Sequence, residues 1–71
     1  MTEEKLVRMA NQIATFFHSQ HDADRAAQVA RHLADFWEPR MRKDLFALIE
    51  RGGAGLDPLV IEAAGRLRAE A

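Results

Sequence analysis

Apolar residues recur along this chain at helical spacing rather than in alternation. Advanced at about 100° per residue, Leu6, Met9, Ala10, Ile13, Phe16 and Phe17 gather on one face of a segment from Glu3 to Gln20, with Arg8, Asn11, Gln12 and Thr15 opposite. Thr2 is suited to cap this helix, and Glu3 and Glu4 stand in the first turn, where the dipole favours acids. HSQHD then reads as a connector ending in Asp22, a good cap for a second helix that reaches Trp37. Ala26, Val29, Ala30, Leu33, Phe36 and Trp37 line its inner side, while Gln28, Arg31, His32 and Asp35 face water.

Pro39 cannot continue that helix and pushes Glu38 toward an extended conformation, so the chain turns and starts again. The third helix begins at Pro39, carries Met41, Leu45, Leu48 and Ile49 on its stripe with Phe46 beside them, and ends at Gly52 and Gly53, which supply a left-handed cap. Asp57 and Pro58 repeat the cap-then-proline start signal. A fourth helix to Arg68 follows, presenting Leu59, Val60, Ala63, Ala64 and Leu67. Gly65 weakens it by about 1 kcal/mol relative to alanine unless close packing needs the space. No stretch keeps period two long enough to make a strand, and there is no internal repeat. The expectation is an all-α fold, a compact small bundle of four short helices in one domain over residues 1–71.

The apolar faces of the first two helices are wider than a helix lying on one core requires, so either the core is filled from two sides or part of this surface faces a partner. Ile61 projects opposite Val60 and Leu67. A chain of 71 residues buries little more apolar surface than the entropy of ordering demands, and with no cysteine it has no disulfide to help. A partner subunit, or self-association through the wide faces, would stabilise it. The formal charge of −1 speaks against a generally basic nucleic-acid binder. No segment approaches the ~20 apolar residues of a membrane span, and MTEEKLVRMA is acidic and amphipathic, unlike a secretory signal, which points to the cytoplasm.

Candidate chemistry is sparse. Ser19 lies near His18 and His21 but in a polar connector without an oxyanion hole. The three histidines, His18, His21 and His32, lack a positioned carboxylate and read more readily as solvated side chains than as metal ligands. GGAG lacks the lysine and hydroxyl of a phosphate loop. Asn11 and Gln12 on the first helix read as solvated, or as partner contacts.

FWEPRMR, residues 36–42, stands apart. Phe36 and Trp37 can anchor the corner between the second and third helices, with Glu38 as cap and Pro39 setting the bend. Arg40, Arg42 and Lys43 then occupy the positive end of the third helix, where each costs about 0.3–1 kcal/mol if unpaired. Glu38, Asp44 or Asp35 could offset this. Otherwise the bend is a positive focus for an acidic protein surface or a phosphate group, with Trp37 available to stack on a base or fill a partner pocket.

MANQIATFF, FWEPRMR and GGAGLDPLVIEA, in that order and spacing, closely resemble the delta subunit of cytoplasmic NAD-dependent formate dehydrogenases. The resemblance covers most of the chain, with no part carried by His18 to Asp35. It implies a small, non-catalytic helical subunit of a multi-subunit molybdenum enzyme that oxidises formate with NAD as acceptor. In that family the large subunit carries the bis-molybdopterin guanine dinucleotide and iron–sulfur clusters, and FMN and further clusters lie on other subunits. The delta chain is expected to bind no cofactor directly and to dock on the large subunit, supporting its assembly, stability or acquisition of the molybdenum cofactor. Trp37, Arg40, Arg42 and Lys43 are the expected contacts, with Phe36 and Pro39 holding the corner. A sharper form brings the basic corner to the cofactor phosphates during insertion. The alternative is an independent helical protein–protein adaptor or a weak nucleic-acid-binding module.

Overall fold

The computed structural model describes residues 2–20 and 24–70. Four helices follow in order, α1 Glu3–His18, α2 Arg25–Phe36, α3 Pro39–Glu50 and α4 Pro58–Glu70, with no strand among the described residues. The fold is all-α, as the periodicity predicts.

Each start has a local cause. The Thr2 hydroxyl accepts from the Lys5 N–H, capping α1 as expected. The cap of α2 is Asp24, whose carboxylate accepts from the Ala27 N–H at 3.1 Å. The expected cap, Asp22, lies outside the described residues. α1 ends earlier than the periodicity suggests, because the Ser19 hydroxyl turns back on the Phe16 carbonyl at 2.7 Å and competes with the helix.

α3 closes as its glycines predict. Gly53 N–H reaches the Leu48 carbonyl and Gly52 N–H the Ile49 carbonyl, both at 3.0 Å, the paired bonds of a Schellman cap. Gly52 holds φ +114° there, a conformation that a side chain would strain.

The core forms where α2 meets α4, the most extensive helix pair. Ala26, Val29, Ala30 and Leu33 face Val60, Ala63 and Ala64, and so many small residues let the two backbones approach closely. Leu6, Ala10 and Ala14 of α1 and Leu45 and Leu48 of α3 complete it. Two aromatics depart from the expected faces: Phe16 is 59% and Phe36 73% exposed. Ala14, on no expected stripe, is fully buried instead. Two residues apart on α1 is about 200° of turn, so the face that buries Ala14 carries Phe16 outward.

Ion pairs tie the ends together. Arg66 of α4 binds Asp24 at 2.6 Å, Arg51 pairs with Glu3, and Arg68 with Glu50 while its guanidinium lies over the Phe46 ring. The Arg66 hydrogen bond, helped by the Ala27 N–H, holds the Asp24 carboxyl below the usual carboxylate range.

Gly65 has no packing reason. It is exposed, and a Cβ built on it meets nothing within 4 Å. Gly65→Ala is therefore expected to stabilise the chain by about 1 kcal/mol, read as a higher urea midpoint at unchanged slope.

Candidate functional site

The corner between α2 and α3 is built by three backbone conformations. Trp37 (φ −87°, ψ 135°) and Glu38 (φ −64°, ψ 150°) are extended, and Pro39 opens α3 at its first position, where its missing N–H costs nothing. Trp37 N–H still bonds the Leu33 carbonyl at 3.1 Å, so its indole swings inward as the chain leaves the helix. The indole is 6% exposed and belongs to the core. Phe36, one residue earlier, points outward. It does not anchor the corner, which corrects the sequence expectation: Phe36 is 73% exposed and its ring packs on His32 rather than in the core.

The cations of this corner separate into two groups. Arg42 Nη1 donates to the Ala34 carbonyl at 2.8 Å and, more weakly, to the Leu33 carbonyl at 3.5 Å. Both carbonyls lie in the last turn of α2, at the negative end of its dipole; that of Leu33 already accepts from the Trp37 N–H, so the Ala34 carbonyl is the main acceptor for Arg42. The anion that Arg42 needs is the end of the preceding helix, not a carboxylate. Asp35 pairs with Arg31, and Glu38 makes no side-chain cap bond, contrary to its expected role. Asp44 lines a separate groove with Glu3, Leu6 and Arg51. Arg40 and Lys43 are exposed, and neither forms an ion pair among the described residues.

Beside the corner, α1 and α2 leave an open space between them. Met9, Ile13, Phe16, Phe17, His32 and Trp37 line the resulting cleft of about 480 Å³, with Gln12 at its edge. Its aromatic wall is continuous: Phe17 meets Phe16 edge-on at 5.1 Å and His32 at 6.3 Å, and His32 lies 4.8 Å from the ring of Phe36. The lining offers one imidazole and one amide but no carboxylate, thiol or hydroxyl, so it suits apolar side chains rather than bond-breaking chemistry.

The family profile described as NADH-dependant formate dehydrogenase delta subunit FdsD matches residues 5–64. The chain belongs to the FdsD family. No curated protein and no solved structure matches it. In this FdsD chain the three blocks that carry the resemblance lie wholly inside the matched residues, and two of them meet in space. Asn11, from MANQIATFF, donates from Nδ2 to the Gly55 carbonyl and accepts through Oδ1 from the Asp57 N–H, each at 2.8 Å. Asn11 is thus neither simply solvated nor a free partner contact; it pins the GGAGLDP loop.

His18 joins the same knot of the FdsD fold. Its Nε2 lies 3.0 and 3.2 Å from the two oxygens of Asp57, whose Oδ1 also accepts from the Leu59 N–H at 2.8 Å and so caps α4. The sequence signal for this was available in part: Asp57 was recognisable as a cap, but nothing local indicated that Asn11 and His18, more than thirty residues earlier, would reach it. His32 belongs to the cleft wall, and His21 lies outside the described residues. Among the described residues no group of three or more His, Cys, Asp or Glu could hold a metal ion, and no helix is long and apolar enough to cross a membrane.

Proposed function

We propose that this chain is the accessory, non-catalytic delta subunit of a cytoplasmic NAD-dependent formate dehydrogenase. It docks on the large catalytic subunit and supports its assembly, its stability or its acquisition of the molybdenum cofactor. Family membership supplies the enzyme. The observation that carries docking is the aromatic face: Phe16 stands exposed on the lining of an open apolar cleft, and Phe36, also exposed, packs against His32 of that lining, in a chain of 71 residues. Trp37 forms the floor of that face, Arg40 and Lys43 make the polar contacts, and Arg42 with Pro39 holds the corner that presents them. Only Arg40 and Lys43 remain of the basic cluster to meet an anion, whether a protein carboxylate or a cofactor phosphate.

Affinity purification of the tagged chain, coexpressed with the dehydrogenase, tests this reading. The dehydrogenase subunits are expected to follow in a fixed ratio, and enzyme made without the small chain should contain less molybdenum or dissociate more readily. Recovery of the small chain alone, with molybdenum content and subunit composition unchanged by its absence, would overturn it.

A further inference from the structure

We infer that the cleft between α1 and α2 receives an amphipathic helix of the dehydrogenase, with its apolar stripe on the aromatic wall and its carboxylates at the end where α3 begins. This rests on the docking reading above and specifies the chemistry of the docked segment. The cleft runs along α1 from Met9 to Phe16, a rise of about 10 Å at 1.5 Å per residue. That length fits anchors spaced i, i+3 or i+4, and i+7 on a docked helix.

The two ends of the cleft differ in charge. Toward the C-terminal end of α1 stand Phe16, Phe17 and His32, and no carboxylate is among the lining residues. At the near end lie Met9 and Trp37, and one residue after Trp37 the chain enters α3. Lys5 lies one turn before Met9 on the same side of α1. Arg40 and Lys43 lie in the first turns of α3, which hold no acid in the first turn and whose N-terminal amides receive no side-chain cap. None of these cations forms an ion pair among the described residues.

Opposing carboxylates at this end are Glu38, at the cap position, and Glu4, further round α1; Asp44 faces the other groove. The acids Glu3, Glu50, Asp57, Asp24 and Glu62 are engaged elsewhere by Arg51, Arg68, His18 and Arg66. A positive end beside an apolar trough complements a segment that is apolar along one face and acidic at one end. A second copy of this chain fits less well, since its own aromatic face would bring the same cations with it.

The test uses the coexpressed dehydrogenase as the probe. Phe16→Glu with Phe36→Glu alters the trough, and Arg40→Glu with Lys43→Glu alters the charged end; all four residues are exposed, and circular dichroism with thermal melting checks that both variants stay folded. Each folded variant is expected to lose at least about tenfold of the copurified dehydrogenase. The wild-type interaction should weaken as salt is raised.

Wild-type recovery by either folded variant would overturn the inference while leaving the docking reading intact. Failure of the wild-type chain itself to recover the dehydrogenase would defeat both. Sedimentation of the isolated chain distinguishes the remaining occupant: a dimer that dissociates on Phe16→Glu with Phe36→Glu would assign the trough to a second copy and overturn the inference.

Discussion

Trp37→Ala is expected to unfold the chain, while Phe36→Ala, one residue away, leaves its stability nearly unchanged. The indole is 6% exposed and sits among Met9, Ile13 and Phe17, where α1, α2 and the start of α3 converge. Truncating a buried aromatic to alanine costs about 3–5 kcal/mol, because the transfer energy is lost and the cavity collapses only in part. A domain of this length holds roughly 4–10 kcal/mol in all, so the substitution removes much or all of it. Phe36, 73% exposed, gives up a ring contact with His32 and little else. Urea denaturation followed by far-ultraviolet circular dichroism reads both, without depending on the indole fluorescence that the first variant loses. A Trp37→Ala midpoint close to that of the wild type would show that the indole is not part of the core.

The second large effect is expected at Asn11. Asn11→Ala removes both bonds to the loop between α3 and α4 and leaves the Gly55 carbonyl and the part-buried Asp57 N–H without that partner. Two net hydrogen bonds and the desolvation of what they leave behind amount to about 2–3 kcal/mol. Gln12→Ala, on the neighbouring exposed position, should stay within about 0.5 kcal/mol. Amide hydrogen exchange localises the difference: in Asn11→Ala the Asp57 N–H should lose protection, along with the first turn of α4. Equal stability in the two variants would remove Asn11 from the role assigned to it.

The helices themselves were legible because their signals are local. Apolar periodicity, Thr2 at one cap, Pro39 and Pro58 at two starts, and Gly52 and Gly53 at a stop act over a few residues, and each is found in the structure. The faces were less legible. Phe16 outweighs Ala14 on any hydrophobic scale, yet the fold buries the alanine, because side-chain size at a close helix crossing is set by the neighbouring helix. The polar knot of Asn11, His18 and Asp57 joins positions 39 and 46 residues apart, and no local pattern encodes such a pairing.

Arg42 is an intermediate case. Its charge is wrong for the start of α3 taken alone, but α2 ends only two residues before α3 begins. Two helices joined so tightly place the negative end of one against the positive end of the next. That geometry, read from chain order, would have indicated where the guanidinium goes. The aromatic cleft was visible only as excess: the faces of α1 and α2 were too wide for one core, and only the packing decided which part stayed open.

On the docking proposed above, the Arg42 bridge bears on how the small chain would meet its partner. A guanidinium that closes the last turn of one helix while standing in the first turn of the next locks the angle between them, so Trp37, Phe36 and Arg40 keep one mutual arrangement before any encounter. A surface shaped in advance loses little conformational freedom on association. Mutation of Arg42 should then slow productive complex formation even where every contacting side chain is retained, a kinetic signature that separates the scaffold of the corner from its contacts.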